Sequence, residues 1–443
     1  MTATSAPAAT PEQTASEPAP APERAPAPEG GRGRWGLWAE PGFRRLWWGE
    51  TTSGLGTAVG HVSLSLVAVV LLDASPLTMG VITAAAWLPW LLIGLPAGAW
   101  VDRWPRRRVM LVCDVALALL FGSVPVAAWF GVLTVTQVVL VALLSGAAKV
   151  FFSTAYGALV PSVVEAPDLM EANGKLRGGE AAADVAGPGV AGLVAQAFGA
   201  ATGLLLDSVS YLVSLFCLSR LEVREEPPAP AARRALGREI AEGVRFVAGD
   251  RYLRTLAGFS MLANLALNGI QAVQTVFLVR EVGLSAGAVG AVFAVVSVGG
   301  LAGAAVAARI ARRLGTAHGL LACLLTVAPL IFLLPFSGRQ LPVAVGALAW
   351  GAAVCAVVAG NVISGTFSQT YTPPALLGRV RASTSTIGYG AIPVGALLGG
   401  FLGDALGARP TIWIMSGVLL AAGLLLLASP VRTARDLPGP RRD

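Results

Sequence analysis

The chain has 443 residues, of which 55% are hydrophobic and 13% charged, with a net charge of +7 and a mean hydropathy of +0.69. A soluble domain is about 25% charged, so this composition excludes an ordinary soluble protein, and several apolar runs exceed the roughly 18 residues that mark a membrane-spanning helix. The basic excess is no nucleic-acid footprint, because it lies in short segments between apolar runs; Cys113, Cys217, Cys323 and Cys355 fall singly inside such runs, which excludes a disulfide framework or a zinc site.

Residues 1–43 read as a Pro/Ala-rich tail whose first 31 residues lack large apolar side chains and are expected to be disordered. With neither a basic start nor an apolar centre, the segment is not a signal peptide. From Arg44 onward twelve spans are predicted, over roughly 46–71, 77–100, 109–131, 134–160, 174–198, 200–220, 255–280, 285–308, 318–337, 341–369, 383–406 and 410–429. They must be helices, because lipid offers backbone groups no partners and the runs are too long for barrel strands. With both termini cytoplasmic in the plasma membrane, the outer loops hold only Arg280, Arg339 and Arg409, while the inner segments hold 28 basic residues. That asymmetry satisfies the positive-inside rule.

Span one presents Glu50, Ser53, Gly54, Thr57 and His61 at i, i+3, i+4, i+7 and i+11, one face of a helix. Glu50 should lie about 6–9 Å from the inner edge and His61 about 16 Å further in. The second span, with Trp87 and Trp90, ends in Gly98-AWVDRWPRR-Arg108, an acid and four arginines within eleven residues. A carboxylate there would favour a neighbouring helix N-terminus, where N–H groups are unpaired. Neighbouring arginines can bridge to carboxylates or lipid phosphates, so the cluster could latch two parts of the molecule; as a simpler alternative the arginines only set topology.

Ionisable residues within spans are costly and are functional candidates by default. Lys149 falls in the inner half of span four, where it either snorkels inward or balances a carboxylate. Arg177, Glu180 and Asp184 line one face of span five; Arg177 and Glu180 could simply pair. By depth, Glu50, Lys149, Glu180 and Asp184 can meet in the inner half of one cavity, with Asp184 the deepest acid. Asp184 and Glu50 are therefore the expected proton carriers. Span five also carries Gly174, Ala183, Gly187, Pro188, Ala191 and Gly192: small residues that let helices approach closely, and a proline that bends the helix.

Residues 221–254 form a polar central loop with an amphipathic surface helix expected over 235–247. It divides an N-terminal six-helix bundle (44–220) from a C-terminal one (255–430), and a cytoplasmic tail follows (431–443). The halves echo each other: Gly98-AWV matches Gly303-AAV, although Ala307 stands where Asp102 would be, and Gly187-Pro188 matches Ile392-Pro393. Asn264, Asn268, Gln271 and Gln274 share one arc of span seven; Asn361, Ser364 and Ser368 share one arc of span ten. They are candidate hydrogen-bonders for a substrate or helix–helix contacts.

Gly98-xxx-Asp102-Arg103-xx-Arg106-Arg107 resembles the inner-loop motif of the major facilitator superfamily. The resemblance extends over about 43–430 through FRRLWWGE, AYGALVP, EANGKL and LLGRVRAS, which are similar to segments of the macrolide- and siderophore-exporter branch. It implies twelve transmembrane helices in two pseudo-symmetric six-helix bundles and a latch role for Asp102, Arg103 and Arg107, with Gly98 opening the motif. It also implies an antiporter motif at Gly174, Gly187, Pro188 and Gly192, and a cavity lined by spans one, four, seven and ten that would hold His61, Asn264, Asn268, Gln271, Asn361 and Ser364. Thr57 and Ser153 stand where that branch has acids, so its coupling scheme does not transfer directly.

The expectation is a monomeric, proton-coupled exporter of a medium-sized hydrophobic or amphiphilic compound. A nutrient symporter and a transport-inactive sensor are the alternatives. The chain lacks HExxH and GxxxxGK[ST], so neither an enzyme nor bound ATP is expected, and the energy source would be a proton gradient without cofactor or metal.

Overall fold

The computed structural model describes residues 36–222 and 236–439. Thirteen α-helices are present among the described residues, and twelve are long and apolar enough to cross a membrane. The N-terminal half comprises α1 (Pro41–Leu66), α2 (Pro76–Val101), α3 (Arg106–Trp129), α4 (Val135–Val163), α5 (Leu169–Phe198) and α6 (Ala200–Ser219). The amphipathic α7 (Leu236–Gly249) follows, and then α8 (Arg251–Val276), α9 (Ala286–Leu314), α10 (Thr316–Ile331), α11 (Val343–Tyr371), α12 (Pro374–Leu406) and α13 (Ala408–Leu427). The protein is thus an all-α polytopic membrane protein.

Helix boundaries follow local chemistry. Pro41 and Pro76 occupy first-turn positions, where a missing N–H costs nothing. Ser75 and Ser285 cap α2 and α9 by accepting from Thr78 N and Ala288 N. The repeat is structural as well: α1 and α8 each end in a wide π-type turn, Val67–Leu71 and Phe277–Glu281. Each turn is followed by a left-handed residue, Asp73 (φ 49°) or Gly283 (φ 78°), and then by the capping serine.

Two boundaries differ from the sequence-based expectation, and the central-loop helix agrees with it to within two residues. The N-terminal bundle begins before residue 44: Gly36–Ala39 form a short 3-10 turn, and Trp38, Phe43 and Trp47 pack edge to face beside the Lys175 ammonium. The segment after 431 folds back on α10, where Asp436 Oδ1 accepts from Thr316 N at 2.8 Å and Val431 is fully buried. In the central loop the helix covers Leu236–Gly249 and packs on α12. Expectations for residues 1–35, including the disordered tail, and for 223–235 and 440–443 lie outside the described residues.

Within the N-terminal half, α1 packs on α5 and α6, α2 on α4, and α3 on α4 and α6. In the C-terminal half, α8 packs on α12 and α13, α11 on α9 and α10, and α10 on α13. The halves meet along two long seams, α2 against α12 and α5 against α9, which leaves space between them.

Candidate functional site: a central cavity closed at one end

Two cavities occupy that space. The larger, about 720 Å³, is mostly apolar and is bounded by α1, α5, α8, α9 and α11. Its polar lining includes His61, Asp184, Gln271, Gln274 and Ser297. The second, about 570 Å³, lies on the N-terminal side and is lined by Glu50, Lys149, Arg177, Glu180 and Asp184 together with Trp90, Phe152 and Tyr156. Thr57 and Asp184 line both, so an apolar chamber adjoins an acidic, aromatic one.

The two ends of the molecule differ. At the end bearing the α1–α2 loop, Arg280 Nη2 of the second half binds Asp73 Oδ1 at 2.6 Å and the Ala74 carbonyl at 2.9 Å. Asp404 of α12 accepts from Leu77 N and Ser75 Oγ, both at 3.1 Å, so that it caps α2 from across the interface. Backbones touch here: a Cβ on Gly192 of α5 would lie 2.7 Å from Gly290 Cα of α9, and one on Gly400 of α12 would lie 2.8 Å from the Pro76 carbonyl. Only glycine permits such an approach. Midway along α2 and α12, Trp87 and Trp90 cluster with Tyr389, each ring centroid 5.8 Å from the tyrosine ring.

The opposite end is more open along α2. Gly94 and Gly98 have open space where a side chain would stand, and Asp102 and Arg103 are exposed with no side-chain partner among the described residues. The acidic cavity runs toward this end, past Gly157, Pro161 and Asn173. Arg107 holds the C-terminus of α6, donating to the Leu218 carbonyl at 2.9 Å and to the Ser219 carbonyl. Arg106 donates to the Ala158 carbonyl at 3.3 Å. The latch geometry expected of Asp102 is therefore not formed in this conformation, and an acid of the other half, Asp404, makes that contact at the other end.

The remaining candidates separate clearly. Glu50, Lys149, Glu180 and Asp184 do share one cavity, and Arg177 pairs with Glu180 at 2.7 Å. Asp184 is an exposed residue on the wall shared by both cavities. Lys149 sits 5.3 Å over the Phe121 ring. His61 Nε2 lies 3.4 Å from Gln271 Nε2, linking the first helices of the two halves beside the apolar chamber. Asn264, Asn361 and Ser364 instead line a separate pocket of about 90 Å³ inside the C-terminal half. Asn268 is buried and bonds the Asn264 carbonyl at 2.8 Å, so it lines none of these spaces.

The span-five motif also divides. Gly187 packs against Ala58 of α1, Pro188 lines the large chamber, Gly192 makes the α9 seam, and Gly174 faces open space. Sequence reading missed Asp73, Arg280 and Asp404, which look like ordinary loop and end residues, and it missed two fully buried acids, Asp114 and Asp207. A charge inside an apolar run was the available signal for the last two.

The family described as transmembrane secretion effector, within the major facilitator superfamily, matches residues 33–438. The chain is 28% identical over 400 residues to the multidrug efflux pump Tap of Mycolicibacterium fortuitum, covering 87% of this chain and 95% of that one. To Tap of Mycobacterium tuberculosis (strain ATCC 25618 / H37Rv) it is 27% identical over 373 residues, covering 82% and 87%. Its fold is similar to the crystal structure of the nucleoside transporter NupG, with a TM-score of 0.73 at 12% identity over 87% of this chain and 98% of that one. Two six-helix halves around a shared cavity and a family match over nearly the whole length agree: the chain belongs to the transmembrane secretion effector family of the major facilitator superfamily and is a membrane transporter.

Proposed function

We infer that this transporter exports a medium-sized hydrophobic or amphiphilic compound, such as a drug, antibiotic or siderophore-like metabolite, in exchange for protons. It works by alternating access, as a monomer in the plasma membrane, with both termini and Asp102 on the cytoplasmic side. The reading rests above all on the paired chambers: an apolar space continuous with an acidic one, sealed at the Asp73–Arg280 end and unlatched at the Asp102 end. A compound could enter from the cytosolic side and leave once the α2–α12 and α5–α9 seams part and the Asp102 end closes. The name of the Tap relatives, multidrug efflux pumps, supports the outward direction. The proton gradient would be the energy source, with no cofactor, bound ATP or chemical transformation of the cargo.

Everted membrane vesicles with an acidic interior test this. Ethidium should accumulate inside them and leave when an uncoupler collapses the gradient. Accumulation to the same level without any gradient would remove proton exchange from the reading.

A further inference from the structure

Asp114 of α3 and Asp207 of α6 are 0% exposed, and none of their four carboxylate oxygens has a hydrogen-bond partner. Two serine hydroxyls lie against the acids: Ser210 Oγ beside Asp207, where it bonds the Asp207 backbone carbonyl at 2.7 Å, and Ser214 Oγ beside Asp114. Neither acid lines the substrate cavities; they lie behind the wall. A charged carboxylate in an apolar, membrane-embedded site is stable only with a proton or with an opposite charge at hand.

That opposite charge is Lys149. From α4 its ammonium lies 5.3 Å over the Phe121 ring, which stacks at 6.0 Å on Tyr211 of α6, one helical turn from Asp207. Glu50 of α1 and Glu180 of α5 line the same acidic cavity as Lys149 and Tyr211. Tyr211 Oη and Thr57 Oγ1 are 2.8 Å apart, and both residues line the acidic cavity, so a hydroxyl pair stands between the buried acids and the vestibule.

The helix between the two compartments is α1. One face carries Glu50, Thr57 and His61 toward the cavities; another carries Gly56 and Gly60 against α6. A Cβ on Gly56 would stand 3.0 Å from Asp207 Oδ1, and one on Gly60 would overlap Oδ2. Whatever happens at Asp207 is felt by the helix that lines the substrate space.

We propose that Asp207 is the proton-carrying site of this transporter, separated from the substrate cavity by α1. The assignment rests on the proton-exchange reading above. When the proton leaves the Asp207 carboxyl, it passes by the Tyr211–Thr57 hydroxyl pair to water in the vestibule, and the carboxylate takes the Lys149 ammonium as its counter-charge. Reprotonation frees Lys149. Glu50, Glu180 and Asp184 are then left to meet the cargo.

The test uses the full chain in everted vesicles with ethidium as probe. Asp207→Asn should lower gradient-driven accumulation by about tenfold and make the remaining rate independent of pH. Ethidium flux down its own concentration gradient should stay within roughly twofold of the unaltered protein. A merely structural aspartate would depress both fluxes and leave the shape of the pH profile unchanged. Asp207→Glu keeps a carboxyl and should keep a pH-dependent rate, which covers the case in which the asparagine variant fails to fold. Without any substitution, dicyclohexylcarbodiimide, which attacks protonated carboxyls in apolar surroundings, should abolish gradient-driven uptake and leave an adduct on Asp207 detectable by peptide mass spectrometry. Wild-type-like uptake by Asp207→Asn, or inactivation with Asp207 unmodified, overturns the proposal. Unaltered vesicles that never respond to a gradient overturn instead the exchange reading beneath it, and the proton site with it.

Discussion

Asp404 of α12 caps α2: its Oδ1 accepts from Leu77 N and its Oδ2 from Ser75 Oγ, each at 3.1 Å, across the boundary between the two halves. The partial positive charge of a helix N-terminus and its unpaired N–H groups favour an anion there. The same chemistry recurs nearby within the second half, where Glu281 Oε1 accepts from Arg409 N at the start of α13. Because Asp404 and its partners lie on different halves, the contact lasts only while this end stays closed.

Asp404→Asn should therefore loosen the closed end. A carboxylate at an exposed helix N-terminus contributes about 0.3–1 kcal/mol, so the population open at this end should rise by about two- to fivefold. Spin-label distances between the α1–α2 loop and the α12–α13 loop would measure it. An unchanged distance distribution would show that the glycine seams alone hold the end shut.

The seam predicts a contrast between two glycines of one sequence motif. Gly192→Val would push against the α9 backbone at Gly290, at a cost of about 1–3 kcal/mol to the closed end, and should cut transport sharply. Gly174→Val meets nothing within 4 Å and should transport normally. Equal losses in both variants, measured by ethidium efflux at matched protein levels, would mean that the motif acts by something other than close packing.

Asp102 has no side-chain partner among the described residues in this conformation, so Asp102→Asn should leave the stability of this state unchanged. It should slow turnover, because the closed form of its own end would lack an anchor. Thermal unfolding of the purified protein alongside vesicle transport separates the two effects. Transport at the full rate would remove the latch role.

His61 and Gln271 join the halves beside the apolar chamber at 3.4 Å. Replacing either with Ala should raise the apparent KM for ethidium more than it lowers the maximal rate, since both line the space the cargo would occupy. A double-mutant cycle should give a coupling of about 0.5–1.5 kcal/mol, the net worth of one hydrogen bond. Strict additivity would mean that the contact contributes nothing to binding.

The twelve spans, the six-plus-six repeat and the inner-loop motif were all legible in the sequence, because membrane insertion depends on runs of apolar residues and on where the arginines fall, both one-dimensional properties. Helix periodicity was also enough to set Glu50, Lys149, Glu180 and Asp184 around one cavity. It could not rank their burial: depth along a helix says nothing about which neighbour covers which face, so nothing set the exposed Asp184 apart from the fully buried Asp114 and Asp207, which went unnoticed. The amides of α8 show the same limit, since residues on one arc are divided between a chamber and a closed pocket by the helices packed against them. Which end is shut was likewise a tertiary matter. Asp73, Arg280 and Asp404 are over 120 residues apart in sequence, and only the packing of one half on the other brings an acid to a helix N-terminus it could not otherwise reach.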